Sequence, residues 1–205
     1  IGSVGKVIDD VTVKIAEDGE ILCKGPNIMM GYYKEIEKTK EVMTGDFFHT
    51  GDIGVIDNDG FLKITDRKKE MFKTSGGKYI APQVIENEMK QSLFIEQIMV
   101  IGEGQKMPAA LIQPNFDHIK NWFAQNGIAA EGDLVSICKN QSLLDEIQKE
   151  IDIHNQRFGK WEQIKKFELT PKMWSIENEF LTPTMKVKRN ILKTYYKDLI
   201  SKIYQ

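Results

Sequence analysis

Apolar and polar positions alternate from Val11 to Ile15, and a second run, Glu20 to Lys24, follows an Asp18-Gly19 turn. That period of two predicts β-strands. Glu35 to Met43 is polar on most faces and reads as a short surface helix. Asp52 to Ile56 and Phe61 to Thr65 flank Asp57-Asn58-Asp59-Gly60, and an Asp-Gly turn between two such runs is a strong hairpin signal. After Thr65 the texture changes. Pro82 stands at the start of a helical pattern, where its missing N–H costs nothing, and Val84, Ile85 and Met89 share one face. Ile95 to Ile101 and Ala109 to Ile112 are apolar runs around a Gly-rich turn, as expected of buried strands. Phe116 to Phe123 and Leu143 to Ile164 read as helices, with Leu144, Ile147, Ile151 and His154 recurring at helical spacing in the second. Phe167 to Leu169 reads as a short strand. A last helix is expected from about Asn190 to Ile203, with Ile191, Leu192, Tyr195, Leu199 and Ile203 as its apolar stripe.

These elements predict an α+β chain in two parts. A β-rich piece ends near residue 65, and a compact α+β domain, a central sheet flanked by helices, begins near residue 70. No internal repeat or low-complexity stretch interrupts either part.

Composition narrows the function. The 205 residues are 41% hydrophobic and 28% charged, with a formal net charge of -2, ordinary for a globular protein and unlike a globally basic nucleic-acid binder. No apolar run approaches the roughly 20 residues that span a bilayer. The start, Ile1 to Val7, has no apolar leader-like core and no initiator methionine, so the chain is expected to be a piece of a longer protein. Cys23 and Cys138 match no metal or redox spacing and are read as plain thiols of a cytoplasmic protein. His49, His118 and His154 are scattered, and no metal site is expected from them.

Three stretches carry candidate chemistry. Thr50-Gly51-Asp52 puts a carboxylate on an open backbone, where it can accept from a vicinal diol or simply end a turn. Asp66 to Pro82 gathers Arg67, Lys68, Lys69, Lys73 and Lys78 around Ser75-Gly76-Gly77. Here the glycines admit a ligand close to the backbone, and the bland reading is a solvated basic hairpin. Leu181 to Asn190 places Lys186 and Lys188 just before a helix, where cations are unfavourable unless they serve another charge.

The order and spacing of these stretches matter more than any one of them. "GPNIMMGYY", "TGD", "DGFL", "TDRKK", "SGG", Pro82 to Glu86, and Pro183 to Arg189 form a series along the whole chain. That series resembles the C-terminal part of the adenylate-forming, AMP-binding enzymes. "FKTSGGKYIAPQVIE", "WEQIKKFEL" and "LTPTMKVKRN" look most like a long-chain fatty-acid–CoA ligase. The resemblance implies that residues 1–65 are the last β-subdomain of a large N-terminal domain, 66–69 a hinge, and 70–205 a small mobile C-terminal domain. It implies a two-step reaction: a fatty carboxylate and ATP give an acyl-adenylate and pyrophosphate, and coenzyme A then takes the acyl group and releases AMP.

By the same resemblance, Asp52 matches the aspartate that holds the ribose hydroxyls and Arg67 the arginine that assists it. Lys186 matches the lysine of the first step, with Lys188 as the alternative register and Met185 where the family usually has glycine. Lys69 matches the hinge residue. Gly76, Gly77 and Lys78 take a coenzyme-A-side role, and Glu86 braces the hairpin or is an exposed helical acid. The cofactors implied are ATP or AMP and magnesium, with coenzyme A as co-substrate. The partners implied are the fatty acid, these small molecules and the N-terminal domain of the same chain, with no nucleic acid. The phosphate loop, the adenine and magnesium motif and the fatty-acid tunnel of the family are not in this sequence, so the chain alone is expected to be inactive. A carrier-protein phosphopantetheine is the alternative acceptor, and a non-catalytic basic binding module the alternative class. Peripheral membrane contact suits a fatty-acid substrate, although no strongly basic amphipathic helix supports it.

Overall fold

The computed structural model describes residues 2–128 and 132–205. The chain forms two compact units, 1–71 and 72–205. In the first, β1 (Gly5–Lys6), β2 (Thr12–Ile15), β3 (Glu20–Lys24), α1 (Ile36–Glu41), β4 (Met43–Thr44), β5 (Phe47–Ile56) and β6 (Phe61–Arg67) follow in order. Their antiparallel sheet runs β1-β6-β5-β3-β2, with β4 added to β5. The Asp57–Gly60 turn joins β5 to β6 as the sequence predicts, and the Asp57 carboxylate accepts the N–H groups of Asp59 and Phe61.

The second unit starts with a small hairpin, β7 (Phe72–Lys73) and β8 (Tyr79–Ile80), and then α2 (Pro82–Met89). A sheet of β9 (Ile95–Ile101), β10 (Ala109–Pro114) and β11 (Lys166–Leu169) forms its centre, in the order β11-β10-β9. β9 and β10 are antiparallel, and β10 and β11 are parallel. Alternate residues of the central strands serve two cores. Ile98, Val100, Ala110 and Ile112 face α2, α3 (Phe116–Gln125), α4 (Leu134–Cys138) and α5 (Gln141–Asn155). Met99, Ile101, Ala109 and Leu111 face Trp174, Phe180, Leu181 and the last helices, α6 (Arg189–Tyr195) and α7 (Lys197–Ile203). Burial on both faces is why Ile98 to Ile101 and Ala109 to Ile112 read as unbroken apolar runs.

Two expected helices differ. The pattern from Leu143 to Ile164 is helical only to Asn155, whose side-chain amide bonds back to both the N–H and the C=O of Ile164 and folds the chain over. The last helix is broken at Tyr196, and its stripe changes with it. Leu192, Tyr196 and Ile203 are buried, while Ile191 and Tyr195 are exposed. Cys138 is buried and Cys23 half-buried.

Candidate functional site

Thr50-Gly51-Asp52 lies inside β5 and not at its entrance. Between the Leu22–His49 and Glu20–Ile53 pairs, β3 advances two residues while β5 advances four, so the tripeptide bulges out of the ladder. Gly51 makes the bulge possible with a φ of +73°, which a Cβ would strain. Thr50 Oγ1 donates to the Ile21 carbonyl (2.7 Å) and accepts the Asp52 N–H (3.1 Å). Asp52 then stands opposite Arg67 on β6, and its Oδ1 meets the guanidinium Nε at 2.7 Å. Among the described residues Oδ2 has no hydrogen-bond partner, and most of the Arg67 fork is open to solvent. A carboxylate with one free oxygen beside a free guanidinium edge can receive a vicinal diol.

Behind this pair sits a group that no motif announced. The Glu20 side chain, 4% exposed, accepts the Gly51 N–H on Oε1 (3.0 Å), and on Oε2 it meets Lys68 Nζ (2.7 Å) and His49 Nδ1 (2.8 Å). Lys68 also reaches Asp18 at 2.7 Å, and its own N–H donates to the Gly51 carbonyl (2.8 Å). Burial alone would raise the Glu20 carboxyl, but the Lys68, His49 and Gly51 donors outweigh it and hold the group below its usual range. A cleft of about 400 Å³ opens here, lined by Glu20, Tyr32, His49, Gly51, Arg67 and Lys68 among others.

In the second unit the Thr74–Lys78 turn closes the β7–β8 hairpin. Thr74 exchanges hydrogen bonds with Lys78, and Gly77 takes φ +78°. Gly76 has ordinary backbone, and the nearest atom to an added Cβ is 4.0 Å away. Nothing in the hairpin itself therefore requires glycine at 76. The hairpin is tied to the β9–β10 turn through Ser75 N–H to the Gln105 carbonyl and Gly104 N–H to the Lys73 carbonyl. Its cations lie over aromatic rings, Lys73 over Tyr79 and Lys78 over Trp161.

Lys186 is exposed on a tight turn. Leu181 bridges Val187, Thr182 N–H donates to the Lys186 carbonyl, and the Lys186 N–H donates to Thr182 Oγ1. Met185 adopts φ +61°, the left-handed region that favours the glycine usual in the family. Among the described residues the Lys186 ammonium has no hydrogen bond or ion pair, so the turn presents a free cation. Lys188 is half-buried at the start of α6, and its N–H is held by the Phe180 carbonyl.

Glu86 is neither an exposed helical acid nor a brace for the hairpin. It is buried, and its carboxylate accepts the Val100 N–H at 2.7 Å and the Arg189 guanidinium at 2.6 Å. It therefore anchors the segment just beyond Lys186 to the central sheet. Burial pushes its carboxyl up to about 7 in spite of Arg189.

The structure thus brings Asp52 to Arg67 in one unit and Glu86 to Arg189 in the other. Lys69 lies in the Arg67–Met71 turn at the boundary between the units. Among the described residues no group of three His, Cys, Asp or Glu is placed to hold a metal ion. The magnesium implied by the resemblance therefore has no donor set here, and no step below runs through it. Among the described residues no helix is long and apolar enough to cross a membrane.

Comparison with known proteins decides the family. Residues 70–205 match the AMP-binding enzyme C-terminal domain. The chain belongs to the AMP-binding enzymes. It is similar to the long-chain-fatty-acid–CoA ligase FadD15 of Mycobacterium tuberculosis, 35% identical over 204 residues, covering 100% of this chain and 34% of that protein. It is 38% identical to long-chain-fatty-acid–CoA ligase 1 of Homo sapiens over 206 residues, 96% of this chain and 29% of that one. The chain thus spans about a third of the length of these curated relatives. Among solved structures, the A domain of carboxylic acid reductase from Segniliparus rugosus, in complex with AMP and a co-purified carboxylic acid, shares the fold. Its TM-score is 0.76 at 21% identity, over 97% of this chain and 32% of that one.

Proposed function

We propose that this chain is the C-terminal part of a long-chain fatty-acid–CoA ligase. The observation that carries the reading is the identity of 35% and 38% to curated long-chain ligases along essentially the whole chain. In the first step a fatty carboxylate oxygen attacks the α-phosphorus of ATP, the bond to pyrophosphate breaks, and an acyl-adenylate forms. Asp52 and Arg67 hold the ribose diol, and Lys186 meets the negative charge that builds on the phosphate and carboxylate oxygens. In the second step the coenzyme A sulfur attacks the acyl carbon, the thiol proton leaves, and AMP departs. The second unit turns about Lys69 between the steps, withdrawing Lys186 and bringing in the Gly76-Gly77-Lys78 turn. Gly76 supports this role, because its missing side chain leaves space that the hairpin does not fill.

The test is release of AMP from ATP by the full-length protein with a panel of fatty acids and either coenzyme A or a phosphopantetheine carrier. Long-chain-dependent AMP release with free coenzyme A supports the reading. Release only with the carrier moves the acceptor, and no AMP with any acid refutes a ligase.

A further inference from the structure

The ladder between β3 and β5 is interrupted where Thr50-Gly51-Asp52 bulges outward. A bulge orphans backbone groups, and a buried N–H left unpaired is destabilising. Here the orphaned Gly51 N–H is taken by the Glu20 carboxylate, and the Gly51 carbonyl by the Lys68 N–H. Glu20 also holds the Lys68 ammonium and His49 Nδ1. Its partners are thus the residue before Asp52, the residue after Arg67, and the strand that leads into the bulge. A buried acid is a poor way to stabilise a sheet, since an apolar residue of similar size often does as well. What an acid at this place can do, and an apolar residue cannot, is fix the bulge and the end of β6 to one point.

We propose that Glu20 is a positioning residue for nucleotide binding. By holding Gly51 and Lys68 it sets the spacing of the Asp52 carboxylate and the Arg67 guanidinium against the ribose diol. This rests on the ligase reading above. The cleft beside it is lined by Glu20, His49, Thr50, Gly51, Arg67 and Lys68, so it opens on the bulge and on the end of β6. Lys68 serves the same bracket from the other side, gripped by Asp18 and Glu20 at 2.7 Å each.

The experiment is steady-state kinetics of the full-length protein as wild type, Glu20→Ala, Glu20→Gln, Asp52→Ala and the Glu20→Ala/Asp52→Ala double variant. Glu20→Ala should raise KM for ATP about tenfold, the scale of one lost buried hydrogen bond, with KM for the fatty acid unchanged. Glu20→Gln keeps an oxygen for Gly51 and should raise it only about two- to threefold. Because Glu20 acts through Asp52, its removal in the Asp52→Ala background should add less than about twofold. The inference is overturned if the two effects multiply in the double variant. It is equally overturned if Glu20→Ala lowers only the melting temperature and leaves KM for ATP unmoved. Should Glu20→Ala fail to fold, Glu20→Gln carries the test: a KM for ATP equal to wild type overturns the inference. A wild-type protein that makes no AMP refutes the ligase reading itself, and the positioning role falls with it. An active wild type with an indifferent Glu20 refutes the positioning role alone.

Discussion

Glu86→Gln should make the second unit insensitive to a pH change that weakens the wild type. The buried Glu86 carboxyl titrates at about 7 against an ordinary 4.5, with burial as the leading cause. Its folded pKa is raised, so the native state binds the proton more tightly than the unfolded chain. The associated stability is fully present below pH 4.5 and is lost as pH rises through about 7. Integrating between those two pKa values, the wild type loses about 2.5 kcal/mol from this group between pH 5 and pH 8. Glutamine has the same shape and cannot titrate, and its single oxygen accepts from only one of the two donors, Val100 N–H or Arg189. The assay is urea denaturation at pH 5, 6, 7 and 8, followed by tryptophan fluorescence. Trp122, Trp161 and Trp174, the three tryptophans of the chain, all lie in the second unit, so the signal reports the right part. The lost acceptor adds an offset that is the same at every pH, and between pH 5 and pH 8 the variant should gain about 2.5 kcal/mol relative to wild type. Subtracting the two profiles removes whatever the other groups contribute equally to both proteins. Parallel profiles from pH 5 to 8 would refute the reasoning, because Glu86 would then be ionised throughout and its pairing with Arg189 would outweigh its burial.

Other outcomes follow from backbone geometry. Met185→Gly should stabilise the chain by about 0.5–1 kcal/mol in thermal or urea melts, since it relieves a left-handed residue on an exposed turn. A loss of stability there would show that the Met185 side chain contributes packing. Gly77→Ala should cost about 1 kcal/mol, and Gly76→Ala no more than about 0.5 kcal/mol in the same melts. In the full-length protein Gly76→Ala should slow thioester formation while leaving adenylation intact; equal rates in both steps would separate Gly76 from the acceptor.

Much of this fold was legible because its signals are local. The Asp57–Gly60 hairpin, Pro82 at the first turn of α2 and the apolar runs of β9 and β10 each follow from residues close in sequence. The errors came where distant contacts override local pattern. Leu143 to Ile164 keeps apolar residues at plausible spacing, yet Asn155 ends the helix by bonding to a residue nine positions on. The last helix breaks so that Tyr196 can enter the core beside Trp174 and Phe180. The site shows the same division. Asp52, Arg67 and Lys186 stand in recognisable short motifs, and the Asp52–Arg67 contact follows from the hairpin register. Glu20 stands outside those motifs and Arg189 stands in one that does not reveal its partner, since both roles depend on residues in distant elements. The Glu20 partner Lys68 is 48 residues away, and the Glu86–Arg189 pair spans 103.

The central claim is that this segment supplies the lysine of adenylation and not of thioester formation. The most direct measurement separates the two steps in the full-length protein with Lys186→Ala. The account predicts that fatty-acid-dependent pyrophosphate exchange falls by at least about a hundredfold, the range found when one charge-stabilising donor is removed. Conversion of preformed acyl-adenylate to acyl-coenzyme A should stay within about twofold of wild type, because the proposed turn of the second unit withdraws Lys186 before that step. Normal pyrophosphate exchange by Lys186→Ala, or an equal loss in both steps, would contradict it.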